Sequence, residues 1–410
     1  MNNFSNENEE FKDINPLTEA PLSNIPHKES LNIMDEGLDP SSSYEEETIV
    51  ISVINPVIKE ERLGSHVNYT IMGQDSKGTF EACRRYKDFK ALRDSLIDRW
   101  PGCFIPQIPP KQAIGNLDPQ FIEQRRKLLE YFLTKSSSYS YIFRSPEFNL
   151  FIRSEGQFRK NLQEVKKLNY TEIAQNFKEE FPNYITYQIS EDLNNKIEAS
   201  LLAFQSGIAA LNKFEEICKE NVINFAAFEI ELLRLMKGIQ AINIFYKENF
   251  ESREVNVLLR DSYTNPYQIL LDWIRKEVLD LEAMIDLVAK QVEYNKIKGK
   301  YEDKLDESKL DLEKMHQGKK LLSQRLSRKP KEHHLSKIEG NIDNLENDIK
   351  SLNLICKIIT ARIIEEEIPK FREHKQEKYE MIMRAFTNSA IQEFENLINQ
   401  NKVIENSLNY

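Results

Sequence analysis

The sequence predicts an α+β unit with a three-stranded antiparallel meander, followed by an all-α coiled coil of three long helices that is dimeric. Three observations predict it. β-Branched, partly alternating stretches are confined to residues 48–86, a proline-rich passage and an amphipathic helix follow before residue 155, and from Phe158 onward apolar groups recur three and four apart through sequence almost free of glycine. At 410 residues the chain is too long for one ordinary core, so two folded units and a tail are expected.

The strands are TIVISVINPVI at 48–58, VNYTIMG at 67–73 and TFEACRRY at 79–86, with Gly64 and residues 75–78 supplying the turns. Helical spacing then begins over 88–100, where Phe89, Leu92, Leu96 and Ile97 share a face until Pro101 and Gly102 stop it. The passage IPQIPPK at 105–111 can be neither helix nor inner strand, because proline lacks an N–H and fixes φ. Residues 119–133 (PQFIEQRRKLLEYFL) read as a second amphipathic helix, and 139–151 as a short helical close to the unit, whose bounds are 48–155.

Beyond it, Phe158, Leu162 and Val165, then Ile173, Phe177 and Phe181, mark an amphipathic linker helix within 156–183 that ends at Pro182. The coiled coil occupies 184–410. Its first seam runs Ile197, Leu201, Phe204, Ile208, Leu211, Cys218, Val222, Phe225, Leu232, Met236 and Ile239. A second runs Leu271, Ile274, Val278, Leu281, Ile285, Val288 and Val292, then resumes out of phase beyond Gly299 at Tyr301, Leu305, Ser308, Leu312, Met315, Leu322 and Leu326. A third, from Leu335 to Ile363, is interrupted at Pro369 and resumes at Tyr379, Ile382, Phe386, Phe394 and Leu397. Helices of about 65–75 residues, roughly 100 Å long, cannot be satisfied inside a compact globule. They must pack on one another and on a second chain, with bends at Gly299 and Pro369.

The net charge of −10 argues against an anionic partner only until it is located along the chain. Residues 1–47 hold 12 acidic and 2 basic side chains, together with Pro16, Pro21, Pro26 and Pro40, and read as a disordered acidic tail. The tail therefore accounts for the whole excess. Residues 48–155 carry 16 basic against 12 acidic side chains and are mildly basic. The four cysteines, Cys83, Cys103, Cys218 and Cys356, lack the paired spacing of a zinc site or a disulfide scaffold and read as reduced, packed thiols. With no basic, apolar leader and no run of about 18 apolar residues, a cytosolic protein with only peripheral membrane contact is expected.

The segment Arg84-Arg85-Tyr86-Lys87-Asp88-Phe89, then IPQIPPK, then EQRRKLLEYF, resembles the PX domain of sorting nexins in order and spacing. That resemblance implies a phosphoinositide site. It places Arg85 on the 3-phosphate of the inositol headgroup, Tyr86 under the sugar ring, Lys111 near the 1-phosphate and Arg125 facing the 4- and 5-hydroxyls. The chemistry agrees: a planar guanidinium forks onto phosphate oxygens, an ammonium acts as a point charge, and an aromatic face covers a ring at low entropic cost. Arg84 and Arg126, on the other sides of their elements, read as structural. Only nine residues, QAIGNLDPQ, separate Lys111 from Phe121, a short version of the family's membrane-inserting loop in which Ile114 and Leu117 could act as small wedges.

The three long helices resemble the BAR domain that follows PX in one branch of sorting nexins. This implies a homodimer, or a heterodimer with a related sorting nexin, that senses or generates membrane curvature on the cytosolic face of endosomes for vesicle or tubule sorting and retrograde transport, with a retromer-like coat among its partners. Lys319, Lys320, Arg325, Arg328, Lys329, Lys331 and Lys337 stand against Glu332 alone at the turn between the second and third helices. In such a dimer this basic tip, Arg325, Arg328, Lys329 and Lys331 above all, would meet anionic lipid at about 1 kcal/mol per residue. A coiled-coil scaffold or tether that uses the PX fold for protein docking is the alternative. No phosphate loop, His-Glu-x-x-His or Gly-x-Ser-x-Gly motif is present, so no enzyme, cofactor or metal is expected. Nucleic-acid binding is equally unsupported, because the basic residues are split between two places without interleaved aromatics.

Overall fold

The computed structural model describes residues 49–61, 64–112, 117–189, 192–250, 264–317 and 331–408. The expected tail lies outside them. Strands β1 (Val50–Glu61), β2 (Gly64–Asp75) and β3 (Gly78–Arg85) form one antiparallel sheet in the order β1-β2-β3, as the alternation required. The register shifts between Ile54 and Val57, where Asn55 takes a φ of 48° ahead of Pro56. Asn is among the few residues that tolerate this conformation, and a proline is confined to such an edge bulge.

Helix α1 (Tyr86–Arg99) starts two residues earlier than its apolar spacing indicated, because the Asp88 carboxylate accepts a hydrogen bond from the Arg85 N–H at 3.0 Å and fixes the entry. Helices α2 (Pro119–Ser137), α3 (Ser140–Phe143) and α4 (Pro146–Arg153) complete the unit. Its core forms where Phe89 meets Tyr69, Phe132 and Phe151 edge-on, at centroid distances of 6.4, 6.4 and 4.9 Å. The open edge of β1 is covered by α2: Arg126 donates to the Val53 carbonyl at 2.6 Å, and Glu130 accepts from the Val53 N–H at 2.9 Å.

The single linker helix anticipated over 156–183 is instead two, α5 (Phe158–Leu162) and α6 (Tyr170–Glu180). The reason is local. Asn169 caps α6 and Glu172 returns the bond to the Asn169 N–H, a reciprocal start signal that ends the preceding chain. Its apolar face, Ile173, Ala174 and Phe177, is buried, with Phe177 and Phe181 against the Trp100 ring.

The long helices are α7 (Asp192–Phe250), α8 (Tyr267–His316), α9 (Lys331–Arg362) and α10 (Ile368–Leu408). Helix α8, with 50 residues, falls below the expected 65–75, and 59 residues of α7 are described. Helix α8 runs through Gly299 without interruption, so no break occurs there. Of its first seam Val292 is exposed, and Gln291 and Tyr294 are buried in its place. Pro369 does not end the third helix either. A π-helical turn, Ile363–Glu367, joins α9 to α10, and the Ile368 N–H donates to the Ile363 carbonyl five residues back. This wider turn absorbs the donor that proline lacks and opens room for its ring.

The α+β unit is fastened to the long helices by buried charge. Asp280 of α8, 1% exposed, accepts from Lys135 of α2 at 2.6 Å, from Lys375 of α10 at 2.5 Å and from the Tyr131 hydroxyl at 2.7 Å. Lys375 also pairs with Glu277 at 2.7 Å, and Arg93 of α1 reaches Asp286 of α8 at 2.7 Å. Gly102 sits at φ +69° where an added Cβ would lie 2.5 Å from Ile359 Cγ2, so α9 can approach only a glycine there.

Burial works against the Asp280 carboxylate, but the two lysines outweigh it and hold its pKa well below the ordinary carboxylate range. A folded-state pKa below the unfolded value of about 3.9 contributes stability that is present above that pH and lost as pH falls toward the folded value. Asp280→Asn, which leaves Lys135 without a carboxylate and Lys375 with Glu277 alone, should cost about 3–5 kcal/mol at neutral pH and flatten the loss of thermal midpoint below about pH 4. Differential scanning calorimetry at several pH values checks it; an unchanged midpoint would deny the junction its role.

Candidate functional site

The four side chains singled out in the α+β unit lie where β3 ends, α1 begins, the proline passage turns and α2 passes. Strand alternation separates the arginine pair. Arg84 faces inward and is 1% exposed; its guanidinium donates to the carbonyls of Phe151 at 2.9 Å, Cys83 at 2.9 Å and Ser154 at 2.6 Å, over the rings of Phe151 and Phe158. Arg85 faces the other way, opposite Asn68 of β2, and its guanidinium has no hydrogen bond or ion pair among the described residues. The same alternation corrects one expectation: Cys83 stands on the outer face and is exposed, while Cys103, Cys218 and Cys356 are buried.

Tyr86 is half-buried, and its hydroxyl donates to the Pro109 carbonyl at 2.7 Å. The Arg125 guanidinium lies 4.6 Å from the centre of the Tyr86 ring and 4.3 Å from that of Phe121, and it donates to the Pro110 carbonyl at 3.4 Å. Tyr86 and Arg125 therefore pin consecutive carbonyls of the proline passage, and the next residue is Lys111. Lys111 is exposed and has no hydrogen bond or ion pair among the described residues.

Arg125 is 7% exposed and pairs with no carboxylate among the described residues. Its Nε and the Tyr69 hydroxyl are both buried without a hydrogen bond of good geometry, although the guanidinium and that hydroxyl interact. Burial lowers the pKa of the guanidinium and raises those of Tyr69 and Tyr86. The neighbouring Arg126 is the opposite case: burial opposes its charge, but Glu123 at 2.8 Å and Glu130 at 3.0 Å raise its pKa. Two adjacent arginines of one helix thus divide the roles of bracing the strand edge and holding an unneutralised charge.

Tyr69 and Phe121 did not enter the site from sequence. Phe121 was legible as the partner of Arg125, four residues earlier on the same helix face; Tyr69 needs the strand register. Leu117 is 37% exposed at the mouth of the loop. Ile114 lies outside the described residues, as do Arg325, Arg328 and Lys329, and Lys331 is described only as the first residue of α9. No group of three metal-binding side chains occurs among the described residues, and none of their helices is long and apolar enough to cross a membrane.

The description "PX domain" fits residues 73–155 as a family match. The chain is 38% identical over 111 residues to vacuolar protein sorting-associated protein vps5 of Schizosaccharomyces pombe, covering 26% of this chain and 19% of that protein. It is 34% identical over 90 residues to human sorting nexin-4, covering 20% of each. The matched stretch is thus about a fifth of these relatives' length. The cryo-EM structure of the SNX-BAR Mvp1 tetramer aligns with 86% of this chain and 99% of its own at a TM-score of 0.51 and 14% identity, which shows a shared fold.

Arg84→Met removes a guanidinium that saturates buried carbonyls and should destabilise by about 3 kcal/mol or more. Arg125→Met removes a buried charge without a carboxylate partner and should change stability by no more than about 1 kcal/mol. Urea unfolding of both variants tests the contrast; equal large losses would make Arg125 a structural residue like Arg84.

Proposed function

We propose that this chain, a sorting nexin of the PX-BAR branch, binds phosphatidylinositol 3-phosphate on endosomes and senses or generates membrane curvature for vesicle and tubule sorting and retrograde protein transport. The observation that carries the reading is Arg125, a buried guanidinium held between two aromatic rings with no carboxylate to neutralise it. Such a charge is costly unless an anion completes it. Arg85 and Lys111 add cationic donors free for phosphate oxygens, and the Tyr86 ring supplies a flat wall for the inositol ring. Leu117, exposed in the loop that follows Lys111, is the candidate for shallow insertion into the bilayer, with Ile114.

Dimerisation is the second part of the proposal. Leu235, Ile242 and Phe245 of α7 and Phe394 and Ile398 of α10 are about half exposed or more, an apolar surface that α8 leaves uncovered. A second copy, or a related sorting nexin, would bury it and assemble the curved helical frame. Two headgroup sites on that frame gain by effective concentration, so neither need bind tightly alone. The basic tip at Arg325, Arg328, Lys329 and Lys331 would add contacts to anionic lipid, and a retromer-like coat is the partner class that fits.

Arg85→Ala should weaken sedimentation with phosphatidylinositol 3-phosphate vesicles about tenfold or more, without altering the thermal midpoint. Equal binding of the unaltered chain to vesicles carrying any phosphoinositide would contradict the headgroup assignment and favour the scaffold. Leu235→Glu with Ile242→Glu should shift the chain from dimer to monomer in sedimentation velocity; an unchanged sedimentation coefficient would place the interface elsewhere.

A further inference from the structure

Away from the PX unit, a cavity of about 590 Å³ opens between the start of α7 and the facing sides of α8 and α9. The chain leading into α7 closes one side with Tyr187 and Gln188, and Asn194 stands in the first turn of that helix. Helix α8 contributes Asn295 and, one turn on, Lys298; helix α9 contributes Asn353 and, one turn on, Lys357. Each of two helices thus presents an amide and an ammonium, stacked one above the other, to the same space.

The chemistry of the lining is one-sided. Among the described residues it holds two ammonium groups, four side-chain amides and the Tyr187 and Thr360 hydroxyls, and no carboxylate. Neither lysine and none of Gln188, Asn194, Asn295 and Asn353 has a hydrogen bond or ion pair among the described residues. Tyr187 is held by the Glu365 carboxylate, which accepts from its hydroxyl at 2.6 Å, and Thr360 accepts from Gln291 at 3.2 Å. The walls are therefore fixed while the cationic and amide groups are free. Cys356 at the floor is a neutral thiol, its pKa raised to about 11 by burial, so no thiolate competes for the lysines.

We propose that this cavity is a second anion site, in the helical frame, that takes a phosphorylated polyol of the inositol phosphate class. Ammonium groups meet the phosphates, and amides, which both donate and accept, meet the hydroxyls of the ring. The volume lies within the range of small-molecule sites, about 300–1,000 Å³. The same chemistry arrives either as a soluble inositol polyphosphate or as the headgroup of a phosphoinositide.

The test uses the full chain carrying Arg85→Ala, so that the PX site contributes little whatever its own ligand. Isothermal titration with inositol hexakisphosphate, and flotation with phosphatidylcholine vesicles with or without phosphatidylinositol 4,5-bisphosphate, separate the two sources. Binding in either arm is expected, and the responding arm names the source. Lys298→Gln with Lys357→Gln should weaken it about tenfold or more, whereas Lys296→Gln with Lys300→Gln, an equal loss of charge on exposed positions of α8 outside the cavity, should change it less than about twofold. Asn353→Asp, which adds a carboxylate at an exposed position, should also weaken it. Equal losses in the two double variants, or no binding in either arm, would overturn the proposal.

Discussion

The arrangement of this protein depends on one buried carboxylate. Asp280 joins α2 of the PX unit to α8 and α10 through Lys135, Tyr131 and Lys375, three donors from two elements far apart in sequence. All three reach the Oδ2 atom, and once out of water such a group depends on its cations, because an unpaired buried charge would cost several kcal/mol. The three elements are thereby held at one separation. A loosely docked domain would be joined by exposed pairs of little worth; here the charges are sealed under aromatic rings, with Lys135 close to Phe104 and Tyr131.

A second fastening grows from what first reads as a defect. Pro369 should break a helix, and the π turn at Ile363–Glu367 lets the chain pass it. Arg362, immediately before that turn, pairs with Glu366 at 3.1 Å and Glu367 at 2.6 Å, donates toward the Cys103 sulfur at 3.0 Å and lies 3.7 Å from the centre of the Phe181 ring. The turn, the linker and the PX unit therefore meet at one arginine. The apolar core is continuous through this junction, with Trp100, Phe177, Ile355 and Ile359 in the same cluster. The candidate site and the helical frame consequently belong to one body.

Much of the fold was legible because its signals are local. Alternation in β1 to β3, the apolar faces of α1 and α2, and the heptad seams of α7 to α10 each follow from spacing within one element. The boundaries were not, since they rest on reciprocal bonds such as Asp88 to Arg85 N–H and Glu172 to Asn169 N–H. Continuity through Gly299 and Pro369 was hidden for a related reason: neither residue alone reports that the helix runs on or that a π turn precedes the proline. Within the candidate site, Tyr86 and Arg125 were named from their motifs, and the two side chains lie together. Tyr69 and the isolation of Arg125 from carboxylates were hidden, because both depend on which side chains tertiary packing places around α2. The Asp280 junction left no mark in the sequence, as Lys135 and Lys375 look there like ordinary solvated lysines.

The most direct test of a single body is the distance between the PX unit and the helical frame. Cys83 is the exposed cysteine and the other three are buried, so a spin label can be attached there selectively, with a second at Leu310→Cys on an exposed position of α8. Double electron–electron resonance, with the labelled chain diluted in unlabelled protein, reports the separation before and after addition of phosphoinositide vesicles. A narrow distribution that stays in place on binding is the predicted result, whereas a broad distribution, or one that moves when the vesicles are added, would contradict the claim that the buried charges lock the two parts together.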